Sequence, residues 1–183
     1  LALVLAGVTA PALAVEKGET YLGGGFGRSS YEEEGFSKYN PTFGIGRIGY
    51  GVTDNFAVEG RLGFGISDDS DTETSSNASA DFSFEIDYIA AAYGVIDIPV
   101  ADTISLYGLL GLASVDVDVK ATRSGIKTSE SSSETDFSYG VGAEVKLTKG
   151  FSGYVEHVQY FDENENGVDY ELTGITLGAK YSF

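Results

Sequence analysis

The sequence predicts an all-β fold: an eight-stranded antiparallel up-and-down transmembrane β-barrel with short periplasmic turns and long extracellular loops. Three observations predict it. Eight segments alternate residue by residue between apolar and polar, the period of a strand with one face of each kind. The connections between them alternate too, short then long. Only 42% of the residues are hydrophobic, and mean hydropathy is near zero. That is far too polar for a helical membrane protein, but ordinary for a barrel whose lumen residues dilute its lipid-facing ones.

The chain opens with LALVLAGVTAPALA. This short apolar run closes on the small-x-small pattern Ala12-Leu13-Ala14 of a signal-peptidase site. It is too short to span a bilayer. Residues 1–14 are therefore expected to be a signal peptide, truncated at its start, and residues 15–183 the barrel domain, with the mature chain beginning at Val15.

The strands follow in order. ETYLGGGFGR sets Leu22, Gly24 and Phe26 on one face. PTFGIGRIGYGV opposes Ile48, Tyr50 and Val52 to Ile45, Arg47 and Gly49. NFAVEGRLGFGI opposes Phe56, Val58, Leu62, Phe64 and Ile66 to Glu59 and Arg61. FSFEIDYIAAAYGVI opposes Phe82, Phe84, Ile86 and Tyr88 to Ser83, Glu85 and Asp87. TISLYGLLGLASV points Ile104, Leu106, Leu110 and Leu112 outward, and after Ala113 its apolar parity switches to Val115, Val117 and Val119. The switch is read as a bulge or as the strand leaving the membrane. DFSYGVGAEVKL is the cleanest, with Phe137 through Leu147 at every second position facing Ser138, Gly140, Gly142, Glu144 and Lys146. FSGYVEHVQYF sets Phe151, Val155 and Phe161 against Tyr154, Glu156 and Val158. ITLGAKYSF closes the set, with Ile175, Leu177, Ala179, Tyr181 and Phe183 on one face and Lys180 on the other.

VTDN, DIPVAD and TKG are the short connections. SSYEEEGFSK, SDDSDTETSSNASAD, DVDVKATRSGIKTSESSSETD and DENENGVD are the long ones. Short turns at one end and long polar loops at the other mark a membrane barrel and not a Greek-key sandwich. The long connections hold most of the 28 acidic residues, and the formal net charge is −17. That charge excludes nucleic acid as a partner, because such binding needs basic patches. With no Cys there is neither a disulfide framework nor thiolate chemistry.

YLGGGFGR, GYGVTDNFAVEGR, YGVGAEVKL and the terminal KYSF, in this order and spacing, resemble the small eight-stranded outer-membrane β-barrel family. That family includes the opacity-type surface proteins and the outer-membrane-protein-A and X barrels. The resemblance covers Glu19 to Phe183. It implies a cell outer-membrane location, reached through the periplasm with periplasmic chaperones and the barrel-assembly machinery. It also implies that Tyr181 and Phe183 in the closing strand serve as the assembly signal.

The candidate chemistry lies in the lumen. Arg47, Glu59, Arg61, Glu85, Asp87, Glu144, Glu156 and Lys180 share the polar parity, and charges in a water-poor interior must pair. They are read as an ion-pair network filling the barrel; a narrow ion or solute channel is the alternative. The one histidine, His157, falls on the lipid side with Gln159 two residues on. A nucleophilic triad needs a hydroxyl there, so no catalytic residue is expected. DENENGVDYE matches the first half of a calcium loop but carries Thr173 where the bidentate acid belongs. No cofactor or dedicated metal site is expected. Weak calcium binding at this turn, at Glu32-Glu33-Glu34 and at Asp68, Asp69, Asp71 and Glu73 would bridge to lipopolysaccharide phosphates. The run SESSSE is low-complexity and polar. GGGFGR lies inside a strand and is not a phosphate cradle. The expected function is that of a monomeric, non-enzymatic surface barrel displaying acidic loops for adhesion, in contact with outer-membrane lipid and lipopolysaccharide.

Overall fold

A computed structural model describes residues 15–33, 40–67, 69–75, 78–123, 126–165 and 168–183, with side chains outside 31–39, 68–85, 117–132 and 163–170. Nine strands follow one another: β1 (Thr20–Glu33), β2 (Thr42–Thr53), β3 (Phe56–Ser67), β4 (Asp69–Ser75), β5 (Ala78–Ala101), β6 (Ile104–Arg123), β7 (Ile126–Thr148), β8 (Phe151–Glu165) and β9 (Val168–Ser182). Each pairs antiparallel with its neighbour in the order β3-β2-β1-β9-β8-β7-β6-β5-β4. β3 pairs with β5 through Phe56↔Ile96 to Phe64↔Tyr88, which closes the sheet. β4 pairs further along the same strand, from Asp69↔Phe84 to Ser75↔Ala78. β3 and β4 are thus two parts of one stave, and the architecture is a closed eight-stranded antiparallel barrel. Closure gives each stave a hydrogen-bonded neighbour on both sides, so the membrane-crossing part of the wall has no free edge, as a lipid environment demands. The first and last strands meet along Tyr21↔Ser182 to Glu33↔Tyr170.

Side chains alternate inward and outward. The outward set of exposed large apolar residues includes Leu22, Ile48, Leu62, Ile96, Leu110, Val141, Val155 and Leu177. Phe56, Phe151, Tyr181 and Phe183 ring it toward the short-turn end, and Phe26, Phe64, Phe137 and Tyr139 ring it toward the other. Such a band is far larger than a soluble monomer leaves exposed, and it is what a lipid-facing wall requires.

Three expectations are corrected. First, the polar stretches assigned to long loops are largely strand: β5 runs for 24 residues and β7 for 23, where about ten cross a bilayer. The staves continue well past the membrane as hairpins. Second, the bulge lies in β5, not in the fifth segment. β6 pairs with β7 without a shift, whereas Ile86↔Val117 is followed by Tyr88↔Asp116, leaving Asp87 as an extra residue. An extra residue flips the faces. Ile86, expected outward, is therefore buried along with Ile89, and Asp87, expected among the lumen charges, is exposed. Val115 needs no bulge of its own: it keeps the inward parity of Ala113 and is buried. Third, a shift in β8 between Gln159 and Phe161 turns two consecutive aromatics, Tyr160 and Phe161, into the lumen, so Phe161 is buried instead of facing lipid.

Candidate functional site: the sealed lumen

The lumen is built in layers. β2 contributes Arg47, β3 contributes Glu59 and Arg61, and β8 contributes Glu156, all inward by strand parity and all buried. Glu156 Oε1 accepts from Arg47 Nη2 at 2.7 Å and from Arg61 Nη1 at 2.6 Å. Its Oε2 accepts from Arg61 Nη2 at 3.1 Å and from the Tyr107 hydroxyl at 2.9 Å. Glu59 Oε1 accepts from Arg61 Nε at 2.5 Å, with Arg47 Nη1 at 3.8 Å, and its Oε2 accepts from the Tyr21 hydroxyl at 2.7 Å. Two guanidinium groups and two carboxylates make a neutral cluster in which all four carboxylate oxygens accept hydrogen bonds, while the buried Arg47 Nε has no hydrogen-bond partner. Aromatic rings supply the remaining solvation: Arg47 stacks over Tyr154 at 3.8 Å and Arg61 over Tyr93 at 4.9 Å.

A second pair sits nearer the short-turn end. Lys180 Nζ lies 2.5 Å from Glu144 Oε2 and 4.7 Å from the Tyr21 ring. Both line a cavity of about 260 Å³ at that mouth, together with Val15, Glu19, Lys146 and Ser152.

Beyond the ion cluster toward the long-strand end, the lumen turns apolar. Phe43 stands four residues along β2 from Arg47, and Tyr160 four along β8 from Glu156. Their rings meet edge to face at 6.2 Å. Val158, Phe161, Leu172, Ile89 and Val115 complete a buried cluster with them. The inward glycines make room for aromatic rings. A Cβ at Gly27 would overlap the Phe43 ring, and one at Gly142 would overlap Tyr107. Gly142→Val is accordingly expected to destabilise by about 1–3 kcal/mol through overpacking, read as a lowered urea midpoint of the detergent-refolded barrel.

Of the residues singled out by sequence, Arg47, Glu59, Arg61 and Glu156 come together in one cluster, and Glu144 and Lys180 form a separate pair. Asp87 is outside, and the side chain of Glu85 lies beyond those described. Tyr181 and Phe183 face outward with near-parallel rings 6.2 Å apart, and Phe183 exchanges backbone hydrogen bonds with Thr20. Sequence reasoning did not single out Tyr21, Tyr93 and Tyr107, whose inward parity is nonetheless regular, nor Asp97, buried on β5 but placed by sequence in a short turn. His157 faces outward between Val141 and Ile175, with no hydroxyl beside it in the register. Among the described residues, no group of three or more His, Asp or Glu is placed to hold a metal ion. The side chains of Glu32, Glu33, Glu34, Asp68, Asp69, Asp71 and Glu73, proposed above for calcium, lie outside the described set.

A family model for the outer membrane protein beta-barrel domain matches residues 1–183. Ail, the attachment invasion locus protein of Yersinia pestis, is similar in structure with a TM-score of 0.60 and 25% identity, over 91% of this chain and 99% of that one. Neisserial surface protein A aligns at 0.57 with 14% identity, over 91% and 100% of the two chains. OprG of Pseudomonas aeruginosa aligns at 0.59 with 12% identity, over 93% and 98%. At those lower identities the likeness is one of fold alone. No protein of curated function matches the sequence. The closed barrel, its apolar outer band and the match over its whole length place this chain in the outer membrane protein β-barrel domain family.

Proposed function

We propose that this chain is a non-enzymatic surface protein of the outer membrane, structural and adhesin-like, whose working part is the acidic extracellular end of the barrel. The observation that carries this reading is the doubly closed lumen. A neutral ion cluster crosses the barrel, and an aromatic and aliphatic layer lies beyond it. A hydrated ion would have to shed its water at both, at a cost of several kcal/mol for each charge left unpaired. Support for a binding role comes from Ail, named for attachment and invasion and 25% identical. His157 offers no catalytic geometry, since its register neighbours are aliphatic.

On this reading the protein is exported through the periplasm, met there by chaperones and then by the barrel-assembly machinery, which reads Tyr181 and Phe183. It is a monomer in contact with outer-membrane lipid and lipopolysaccharide, holds no cofactor, and binds calcium weakly at its extracellular acids. The test has two arms. In planar bilayers the refolded chain is expected to give no discrete conductance steps. On cells, replacing residues 117–132 by a tight turn is expected to abolish adhesion to immobilised matrix protein while the heat-dependent gel shift of a folded barrel persists. Discrete steps from the native chain would overturn the reading in favour of a channel.

One difference from Ail is expected. Ail has been crystallised with the heparin analogue sucrose octasulfate. This chain carries a net charge of −17, so sulfated polysaccharide should not bind it. A heparin column run at low ionic strength, where attraction between opposite charges is strongest, should leave it in the flow-through.

A further inference from the structure

The segment ahead of β1 is folded into the barrel. Residues 16–19 make a tight turn. The Glu19 amide donates to the Glu16 carbonyl at 3.0 Å, and Gly18 takes the third position at φ +87°, the left-handed value that such a turn needs there. Two bonds fasten the turn to β2: the Gly18 amide donates to the Gly51 carbonyl and the Gly51 amide to the Glu19 carbonyl, each at 2.8 Å. A third reaches the turn between β2 and β3, where the Lys17 amide donates to Asp54 Oδ1 at 3.2 Å. Val15 is thereby tucked into the mouth. It is buried, and a Cβ at the inward Gly51 would overlap its side chain and the Glu16 carbonyl.

We propose that removal of the leader between Ala14 and Val15 creates a structural charge: the freed α-ammonium of Val15 docks in the short-turn cavity and pins residues 15–19 across the barrel mouth. The small-x-small pattern Ala12-Leu13-Ala14 puts the cut directly before the seated residue. Val15 lines the cavity together with Glu16 and Glu19 of its own segment, Glu144 and Lys146 of β7, and Lys180 of β9. Lys180 is already held by Glu144 at 2.5 Å. Beside them on β5 stands Asp97. It is only 3% exposed, it feels the charges of Glu144, Lys180 and Glu19, and its Oδ1 has no hydrogen-bond partner. Four carboxylates thus meet two lysine ammonium groups, and this end of the lumen is short of positive charge. A buried carboxylate oxygen without a partner costs free energy that a nearby cation recovers. Lys17 does not supply it, because its side chain is exposed. Val15 in a peptide bond carries no charge; cleavage at that bond gives it one, with three donors.

The proposal rests on the export reading above, and its test tells the two apart. The mature protein is recovered from the outer membrane and weighed. A first residue other than Val15 overturns the cleavage assignment and this inference with it. With Val15 first, three forms of the chain are refolded in detergent, each checked by its heat-dependent gel shift. In one the α-amine is free, in one it is dimethylated, which adds bulk and keeps the charge, and in one it is acetylated, which adds similar bulk and removes the charge. Amide hydrogen exchange is read at Gly18 and Gly51, the amides that fasten the turn. Exchange about tenfold faster in the acetylated form alone, the preference a one-unit rise in the amine pKa would give, supports the proposal. Equal exchange in all three forms overturns it while leaving export intact. Exchange as fast in the dimethylated form as in the acetylated one overturns it too, since bulk and not charge would then matter. The pH dependence has a definite sign. Docking raises the amine pKa above its unfolded value of about 7.7–8.0, so the added stability is complete below that range and is lost as pH rises through the folded value. The urea midpoint of the free-amine form should exceed that of the acetylated form at neutral pH, and the gap should close in alkali. A gap that stays constant into alkali would overturn the charge assignment.

Discussion

Glu156→Ala is expected to lower the stability of the refolded barrel by about 3–5 kcal/mol, the cost of stranding a buried charge. Glu156 accepts four hydrogen bonds, one from Arg47, two from Arg61 and one from Tyr107. Without it, two buried guanidinium groups share Glu59 alone, and a site of zero net charge becomes one of +1 with no water to solvate it. Urea titration of the native and variant barrels in the same detergent measures the difference. Arg47→Leu combined with Glu156→Leu removes a whole pair, leaves Arg61 with Glu59, and should recover most of the loss, because replacing an ion pair by apolar bulk is close to neutral. A loss below about 1 kcal/mol for the single variant, the range of exposed pairs, would mean that water reaches the cluster and that the lumen is not sealed. Lys180→Ala provides the contrast. Its partner Glu144 borders the cavity at the short-turn mouth, where water can replace the ammonium, so the effect should be smaller.

Much of this cluster could be read from parity alone. Arg47, Glu59, Arg61 and Glu156 lie on strands whose alternation is unbroken from the short turns to their own positions, so counting by twos puts them inside. The same counting misplaces Asp87 and Phe161. Each lies on the far side of a bulge, and a single extra residue, which nothing in the local composition announces, exchanges the faces. The length of the staves was hidden for a related reason. Serine, threonine, aspartate and glutamate read as loop when strands are expected to carry an apolar face. Above the bilayer these strands need none, because their backbone pairing with the neighbouring stave suffices. What the sequence concealed most completely is that the room left by inward glycines is taken up by aromatic rings. That depends on which ring from a neighbouring strand leans over each one, and the register needed to know it is a tertiary property.

That filling makes a prediction about conduction. Opening the lumen to ions should require removing both layers together. Arg47→Ala with Glu156→Ala thins the ion cluster as a neutral pair and leaves Phe43, Tyr160, Phe161 and Leu172 closed above it. A narrow apolar constriction stops ions by excluding the water they travel with, so this double variant is expected to remain silent in planar bilayers. Phe43→Ala with Phe161→Ala opens the apolar layer but leaves Arg61 and Glu59 bridged to Arg47 and Glu156 across the barrel, and it should be silent as well. Only the quadruple variant should give discrete steps, and then without selectivity for either sign of ion, because the surviving pair of Arg61 with Glu59 is neutral. Each protein is first shown to be folded by its heat-dependent gel shift. Steps from the ion-layer variant alone would show that the aromatic layer is no barrier. A folded quadruple variant that stays silent would show that the tyrosines at 93, 107 and 154 close the barrel by themselves, and the two-layer account would have to be given up.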